Sequence, residues 1–136
     1  MIVLALASAA ALAQLPSDTD YVVKTACAEA RGLSQDEMAA VAHVIINRYE
    51  RGGYDSFEAV VLERGQFNVW RAGKVAACGR ETEKAERAVR EAIDEQLAGI
   101  DPTRGATHFH NQSVRPKWTK RAKDSVRIGA HTFYRL

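Results

Sequence analysis

The 136-residue sequence predicts an α+β domain, mostly helical, with a small antiparallel β element near its C-terminus. Apolar residues recur at helical spacing in three segments, 21–31, 36–49 and 81–97. Two short segments, 106–110 and 131–135, alternate in polarity as strands do. The length suits one domain with a modest core, and 46% hydrophobic with 26% charged residues is typical of a soluble globular protein.

The second predicted helix, 36–49, is apolar on nearly all sides, so we expect it to be the central buried helix. Ser34 followed by Glu37 is a capping-box pattern, which marks where this helix begins. The first helix, 21–31, is followed by Gly32, a residue suited to the position after a helix.

The other predicted elements are shorter or amphipathic. A short helix is expected at 56–62 and a surface helix at 81–97, with a glycine-containing loop between them. Residues 99–105 form a predicted turn. The strands 106–110 and 131–135 are expected to pair around a basic connection.

The first 14 residues, MIVLALASAAALAQ, differ from the rest of the chain. An apolar run followed by small residues is typical of a secretory signal, here with cleavage near Ala13, and is too short to span a bilayer. We therefore expect an exported protein with a signal peptide at 1–13, a linker at 14–20 and a single folded domain at 21–136. The alternative is a buried N-terminal helix.

Glu29 is the acidic residue that the first helix places on its apolar side. On a helical wheel it falls with Val22 and Ala26, while Arg31 falls on the opposite side. Partial burial and the negative end of the helix dipole both raise the pKa of a carboxyl group. A carboxyl group that keeps its proton at neutral pH can act as a general acid. The alternative is a structural ion pair with Arg31 or Arg48.

Four sequence blocks follow one another in a recognisable order. The first, AEARGLSQDEMAAVAHVIINR at 28–48, places a helix that ends in A-E-A-R-G before an apolar helix that ends in N-R. The others are GQFNVW at 65–70, DPTRGATHFHN at 101–111 and IGAHTFYR at 128–135. In order and spacing these blocks resemble the SleB/CwlJ-type, spore-cortex-lytic cell-wall hydrolases over residues 21–135.

This resemblance implies a lysozyme-like or transglycosylase-like helical body with the substrate groove between it and the β element. It implies an enzyme that cleaves peptidoglycan glycan strands between N-acetylmuramic acid and N-acetylglucosamine, with Glu29 as the single acid/base. As in lytic transglycosylases, Glu29 would protonate the glycosidic oxygen and then deprotonate the muramic C6 hydroxyl, which closes a 1,6-anhydro ring. Such a route requires neither a second carboxylate nor a cofactor.

The resemblance also implies a set of substrate contacts. Within the G-Q-F block, Gln66 offers amide hydrogen bonds and Phe67 a stacking face for a sugar, with core packing as the alternative for Phe67. Asn111 lines up with an asparagine that closes the family's aromatic strand. Independently of the resemblance, Trp118 in the basic segment either stacks on a sugar or anchors its loop. The expected substrate-binding residues are Gln66, Phe67, His108, His110, Asn111 and Trp118.

Some positions depart from the family pattern or are expected to be structural. The strand before Asn111 is usually rich in tyrosine, yet here it contains His108 and His110. Asn47 and Arg48 match the family's N-R pair, and we expect them to make structural hydrogen bonds at the helix end.

The charge is distributed unevenly along the chain. The net charge is +2, yet residues 104–136 contain eight cations and one carboxylate. This distribution suits an anionic polymer, so a non-catalytic binder acting through the basic C-terminal third is one alternative function. A solvated basic face without a partner is the other possibility. The segment lacks a nucleic-acid-binding pattern, and we expect neither a nucleic-acid partner nor a stable membrane span in a monomeric mature protein.

A metal-dependent hydrolase is the remaining alternative. His108 and His110 are two residues apart and would point to one face of a strand, with His131 as a third ligand from the neighbouring strand. Glu29 would then serve as the base. No acidic partners for these histidines are evident nearby, and we favour the interpretation without a metal.

Two cysteines, Cys27 and Cys78, complete the sequence features. In an exported chain they suggest one disulfide, whereas in the cytosol they would be buried thiols.

Overall fold

The computed structural model describes residues 15–136, so the predicted signal peptide lies outside the described residues. This part of the chain folds into four α-helices, two 3-10 helices and one three-stranded antiparallel sheet, which confirms the α+β prediction. The helices are α1 (Thr19–Glu29), α2 (Gln35–Arg51), α3 (Phe57–Val61) and α4 (Thr82–Leu97), with 3-10 helices at Gly79–Glu81 and Lys117–Arg121. The strands are β1 (His108–Asn111), β2 (Asp124–Ile128) and β3 (His131–Arg135). Within residues 15–136, no helix has the length and hydrophobicity that crossing a membrane requires.

Helix α2 is the centre of the core, as predicted. Every residue from 37 to 46 is buried, and α1, α3 and α4 all pack against this helix. Three alanines on α2 are buried and allow close approach of its neighbours: Ala39, Ala40 and Ala42. The amphipathic α4 buries Ala85, Ala88, Val89 and Ala92 against α1 and α2.

The start of α2 attaches the sheet to the helices. The hydroxyl of Ser34 accepts a hydrogen bond from the backbone N–H of Glu37, as a capping box predicts. The Glu37 carboxylate does not complete the box but accepts a hydrogen bond from the Ala130 N–H at 2.9 Å and lies 3.3 Å from Nδ1 of His131. Gly129 has a φ of +59°, and a Cβ atom there would lie 2.0 Å from Oε1 of Glu37. The buried carboxylate thus requires glycine in the β2–β3 turn.

The sheet has the strand order β1-β3-β2. Strand β2 is a correction to the sequence prediction, in which the whole segment between the strands 106–110 and 131–135 is a basic connection. Its charged residues mask a regular alternation in which Val126 and Ile128 point toward the core while Arg127 is exposed. The register pairs His108 with Tyr134 and therefore places these two side chains on one face.

Element boundaries shift by up to two residues from those predicted. Helix α1 begins at Thr19, inside the predicted linker 14–20, and ends at Glu29 rather than at residue 31. Strand β1 begins at His108 rather than at 106, because α2 engages the two preceding carbonyls. Asn47 donates to the carbonyl of Ala106 at 2.9 Å, and Nε of Arg48 donates to that of Thr107 at 2.6 Å.

A disulfide joins α1 to the loop before α4. It links Cys27 to Cys78 across a sequence separation of 51 residues, in agreement with the first of the two alternatives for these cysteines. Next to it, the Arg31 guanidinium donates to the carbonyls of Ala77 and Cys78 at 2.6 and 3.0 Å. The end of α1 is therefore attached to residues 77–78 by one covalent bond and two hydrogen bonds.

We predict that reduction of this disulfide lowers the free energy of unfolding by about 4 kcal/mol, because the closed loop restricts the unfolded chain. Urea unfolding with and without a thiol reductant measures the difference. A Cys27→Ala/Cys78→Ala variant is the control, since its unfolding must not respond to the reductant. Equal midpoints for reduced and oxidised wild-type protein would contradict the prediction.

Candidate active site

A groove of about 700 Å³ lies between the helical body and β1, an edge strand of the sheet. The last turn of α1, the loop 65–71, strand β1 and the segment 114–118 form its walls. The groove brings together Glu29 and five of the six predicted substrate-binding residues: Gln66, His108, His110, Asn111 and Trp118. The position of the groove is therefore the one that the sequence predicts.

Glu29 is half-buried at the wall formed by α1. Its carboxyl group has no hydrogen bond or ion pair with any residue in the range 15–136, so the predicted alternative of an arginine pair is wrong. Burial raises the pKa of Glu29 to about 7, against the opposing effect of the nearby Arg48 cation. A carboxyl group with this pKa is both a competent acid and a competent base near neutral pH.

Glu29 is the one acidic residue among the described residues that line the groove. Another carboxylate, that of Glu63, lies in a smaller adjoining cavity of about 240 Å³ and accepts a hydrogen bond from Tyr54 at 2.8 Å. The groove therefore offers one carboxyl group for acid–base chemistry.

Arg48 lies at the junction of α2, β1 and the loop 65–71. Its side chain is 8% exposed, its Nε bonds the carbonyl of Thr107, and its guanidinium lies 4.9 Å from the centre of the Phe67 ring. The expected structural role is confirmed, yet Arg48 also lines the groove. Its buried Nη1 has no hydrogen-bond partner within residues 15–136, and burial lowers its pKa.

Phe67 is a correction to the predicted site. It is 3% exposed and packs against Arg48 and Phe109, so its ring has no open face for a sugar. The neighbours of Phe67 in the loop line the groove instead, with Gln66 and Asn68 exposed. The polar-apolar-polar pattern of Gln66, Phe67 and Asn68 is consistent with this arrangement.

Four rings form an aromatic cluster on the outer face of the sheet. Trp118 lies 5.0 Å from His108 and 5.2 Å from Tyr134, and His110 stacks on Tyr134 at 5.2 Å. Nε2 of His110 and the Tyr134 hydroxyl are 2.8 Å apart. Burial, followed by the nearby cations of Arg48, Arg51 and Arg121, lowers the pKa of His108 to about 4, so this ring is uncharged at neutral pH.

Tyr134 is a member of this cluster that sequence reasoning missed. Its position in the last strand places it on the same face as His108, but only the register of the strands reveals this. Arg31, predicted on the wet side of α1, lies beyond the end of that helix and also lines the groove.

The alternative of a three-histidine metal site is wrong. His131 also lines the groove, but it pairs with Asn111 and its side chain therefore lies on the opposite face of the sheet from those of His108 and His110. There it is buried against Glu37 of α2. Within the described part of the chain, no three potential ligands converge in a way that would hold a metal ion.

Asn47 does not reach the groove and acts structurally, as expected. Its amide donates to Asp101 and to the carbonyl of Ala106, both at 2.9 Å, and accepts from Gln96 at 3.1 Å. Burial by itself would raise the pKa of Asp101, but hydrogen bonds from Thr103 and Asn47 lower it below its ordinary value. An ionised Asp101 therefore fixes the turn that leads into β1.

The model of the cell wall hydrolase family matches residues 32–134, which shows that the chain belongs to this family. The match begins three residues after Glu29, so the catalytic candidacy of Glu29 depends on its position in the groove and not on this match. A curated relative, the spore cortex-lytic enzyme of Halalkalibacterium halodurans, is 31% identical over 119 residues. The aligned region covers 86% of this chain and 34% of that enzyme, so the chain spans about a third of its curated relative.

Two solved structures resemble this fold closely. The catalytic domain of Bacillus cereus SleB superposes with a TM-score of 0.71 at 27% identity, covering 90% of this chain and 94% of that one. The catalytic domain of SleB from Bacillus anthracis, described as a germination-specific lytic transglycosylase, has a TM-score of 0.70 at 27% identity, covering 87% of this chain and 93% of that one. These matches confirm the resemblance that the four sequence blocks predicted.

We predict that Glu29→Gln stabilises the fold in a pH-dependent manner. The pKa of Glu29 is higher in the folded state than its ordinary value of 4.5, so ionisation above that value costs stability, and the loss is complete above a pH of about 7. Glutamine cannot ionise. The gain in free energy of unfolding on substitution is therefore expected to be about 2 kcal/mol larger near pH 8 than near pH 4.

Denaturant unfolding at several pH values measures this gain. Glu83→Gln, which removes an exposed carboxylate from α4, is the matched control and should show no comparable growth with pH. A Glu29→Gln gain that is constant from pH 4 to about pH 8 would refute the raised pKa.

We also predict that Arg48→Met raises the pKa of Glu29, because the Arg48 cation favours the carboxylate form. Methionine retains much of the buried volume and removes the charge. A carboxyl ¹³C titration by NMR should show a higher midpoint for Glu29 in this variant than in the wild type. Arg51→Met removes an exposed cation from the same helix and is the control. A lower or unchanged midpoint in Arg48→Met would contradict the prediction.

Proposed function

We propose that the protein cleaves the glycan strands of peptidoglycan between N-acetylmuramic acid and N-acetylglucosamine as a lytic transglycosylase. The observation that supports it most directly is Glu29, the one carboxyl group lining the groove in the described chain, with a pKa of about 7. Membership of the cell wall hydrolase family supports the substrate. The likeness to a SleB domain described as a lytic transglycosylase supports the reaction type.

In the first step, protonated Glu29 donates its proton to the oxygen that links muramic C1 to the next sugar. The bond between C1 and this oxygen breaks, the glucosamine O4 leaves as a hydroxyl group, and positive charge develops at C1 and the ring oxygen. A pKa of about 7 means that a large fraction of Glu29 retains its proton at neutral pH.

In the second step, the Glu29 carboxylate removes the proton from the C6 hydroxyl of the muramic residue. The oxygen of this hydroxyl group forms a bond to C1, which closes the 1,6-anhydro ring. The proton removed from the hydroxyl group remains on Glu29. No water enters the products, and the acid is ready for the next cycle. One residue thus acts as acid and base in turn.

The composition of the groove favours this route over hydrolysis. Retaining and inverting glycosidases generally use two carboxyl groups, one of which activates water or attacks the sugar. Among the described residues, Glu29 lines the groove without a second carboxylate, and Glu63 is engaged by Tyr54 in the adjoining cavity. An intramolecular hydroxyl group needs no such partner.

The neutral sugars would contact the aromatic and amide groups of the groove. Trp118, held by His108 and Tyr134, offers a ring for sugar stacking. Gln66 and Asn111 are exposed on the groove walls. Gln66 offers its amide group to the N-acetyl substituents, and Asn111, whose Oδ1 accepts hydrogen bonds from Ser113, offers its N–H donors. No cofactor has a role in this scheme.

We further propose that the enzyme acts outside the cytoplasm, as a monomer. The disulfide between Cys27 and Cys78 supports an oxidising compartment, and a peptidoglycan substrate lies outside the membrane.

We predict that Glu29→Gln reduces glycan cleavage about a thousandfold, the effect of losing a general acid–base group. Release of soluble fragments from purified sacculi measures activity, and mass spectrometry identifies the ends. Wild-type products are expected to carry anhydro-muramic ends, one water lighter than hydrolysed ends. Glu63→Gln is the control and should retain activity.

Each outcome separates a different part of the proposal. A Glu29→Gln protein that clears sacculi at the wild-type rate would overturn the role of Glu29. Reducing muramic ends in the wild-type products would overturn the transglycosylase route and leave a glycosidase.

A further inference from the structure

A second cavity, of about 830 Å³, lies beside the groove and is lined by cations. We call it the basic pocket and define it by Arg115, Lys117, Lys120 and Lys123. The 3-10 helix Lys117–Arg121 places Lys117 and Lys120 three residues apart, and thus on one side. All four cationic side chains are exposed to solvent.

These cations lack carboxylate partners. None of the four forms an ion pair with a residue in the range 15–136. The one carboxylate that lines the pocket, that of Asp124, lies 3.5 Å from the guanidinium of Arg104. Four like charges around one cavity repel each other, so an anion bound among them would be stabilised electrostatically.

The basic pocket adjoins the groove. Pro116 lines both cavities, and Trp118, which lines the groove, lies between the pocket residues Lys117 and Thr119. Tyr134 lines the basic pocket and contacts Trp118 at 5.2 Å. A ligand that lies over Trp118 therefore lies next to the cations of the basic pocket.

We propose that the basic pocket binds the carboxylates of the peptide that is attached to the muramic acid of the substrate strand. This inference rests on the proposed function and extends it. The glycan is made of neutral sugars, and its negative charge lies on the peptides that branch from each lactyl group. Cations next to the groove can therefore act on the peptide, whereas the aromatic cluster and amide groups act on the sugars.

A variant with the changes Lys117→Gln, Lys120→Gln and Lys123→Gln tests this assignment. The matched control is Arg64→Gln, Arg80→Gln and Arg90→Gln, which removes the same charge from exposed positions outside both cavities. Sacculi are used in three forms: with their phosphate polymers retained, freed of these polymers, and freed of them and then amidated with carbodiimide and ammonia. The amidation converts the peptide carboxylates to neutral amides. Initial rates of fragment release are compared below saturation, after thermal unfolding has verified that each variant is folded.

We expect the lysine variant to cleave native sacculi about tenfold more slowly than the wild type, since three weak exposed ion pairs add up to an effect of this size. Amidation should slow the wild type and the control variant by a similar factor, and should leave the lysine variant nearly unchanged. Raising the salt concentration should remove most of the difference between the wild type and the lysine variant.

Equal rates of the wild type on native and amidated sacculi would overturn the inference, as would a lysine variant that matches the wild type on native sacculi. A third result would also overturn it: a lysine variant impaired only on sacculi that retain phosphate polymers, because the cations would then bind phosphodiesters. These outcomes leave the proposed function intact. That function fails separately, if the wild type releases no glycan fragments from either substrate.

Discussion

The groove depends on the contacts of one buried side chain, that of Arg48. It bonds the carbonyl that precedes β1, packs on the ring of Phe67 and lies near Glu29, so one side chain joins three walls of the site. Two effects act in opposite directions on the pKa of Glu29: its own burial raises the pKa, and the charge of Arg48 lowers it. The same dry environment that raises the pKa of Glu29 contains a cation that limits the rise, and a value of about 7 is the result of both.

The groove also changes in character along its length. Within the groove, Arg31, Arg48 and Arg71 lie on the walls, and the low pKa of His108 leaves an uncharged aromatic surface with Trp118. Beyond Pro116 the surface becomes strongly cationic. A neutral polymer with charged branches meets both environments, whereas a purely neutral or a purely anionic polymer meets only one that suits it. This division suggests why a chain with net charge +2 concentrates its positive charge in the last third.

The sequence was informative where local patterns determine structure. The continuous apolar run of α2 predicted a central helix, and the position of Glu29 on the apolar side of α1 predicted a raised pKa. It was uninformative where contacts are distant in the chain. Strand β2 was missed because its charged residues mask the alternation. The Glu37 carboxylate does not cap α2 as predicted but contacts donors that lie 93 and 94 residues later in the chain. Phe67 was misplaced because an aromatic residue next to a groove can point either way.

Helix termini fray, and Glu29 is the terminal residue of α1. A frayed last turn would hydrate the carboxyl group and return it to the acidity of a free glutamate in water. Two connections hold this turn in place. One is the disulfide at Cys27, two residues before Glu29, and the other is the pair of hydrogen bonds from Arg31 to the carbonyls of residues 77–78. The cross-link therefore does more than stabilise the fold: it holds the turn whose partial burial raises the pKa of Glu29, so the acid strength of this residue is linked to a covalent bond that forms only after oxidation.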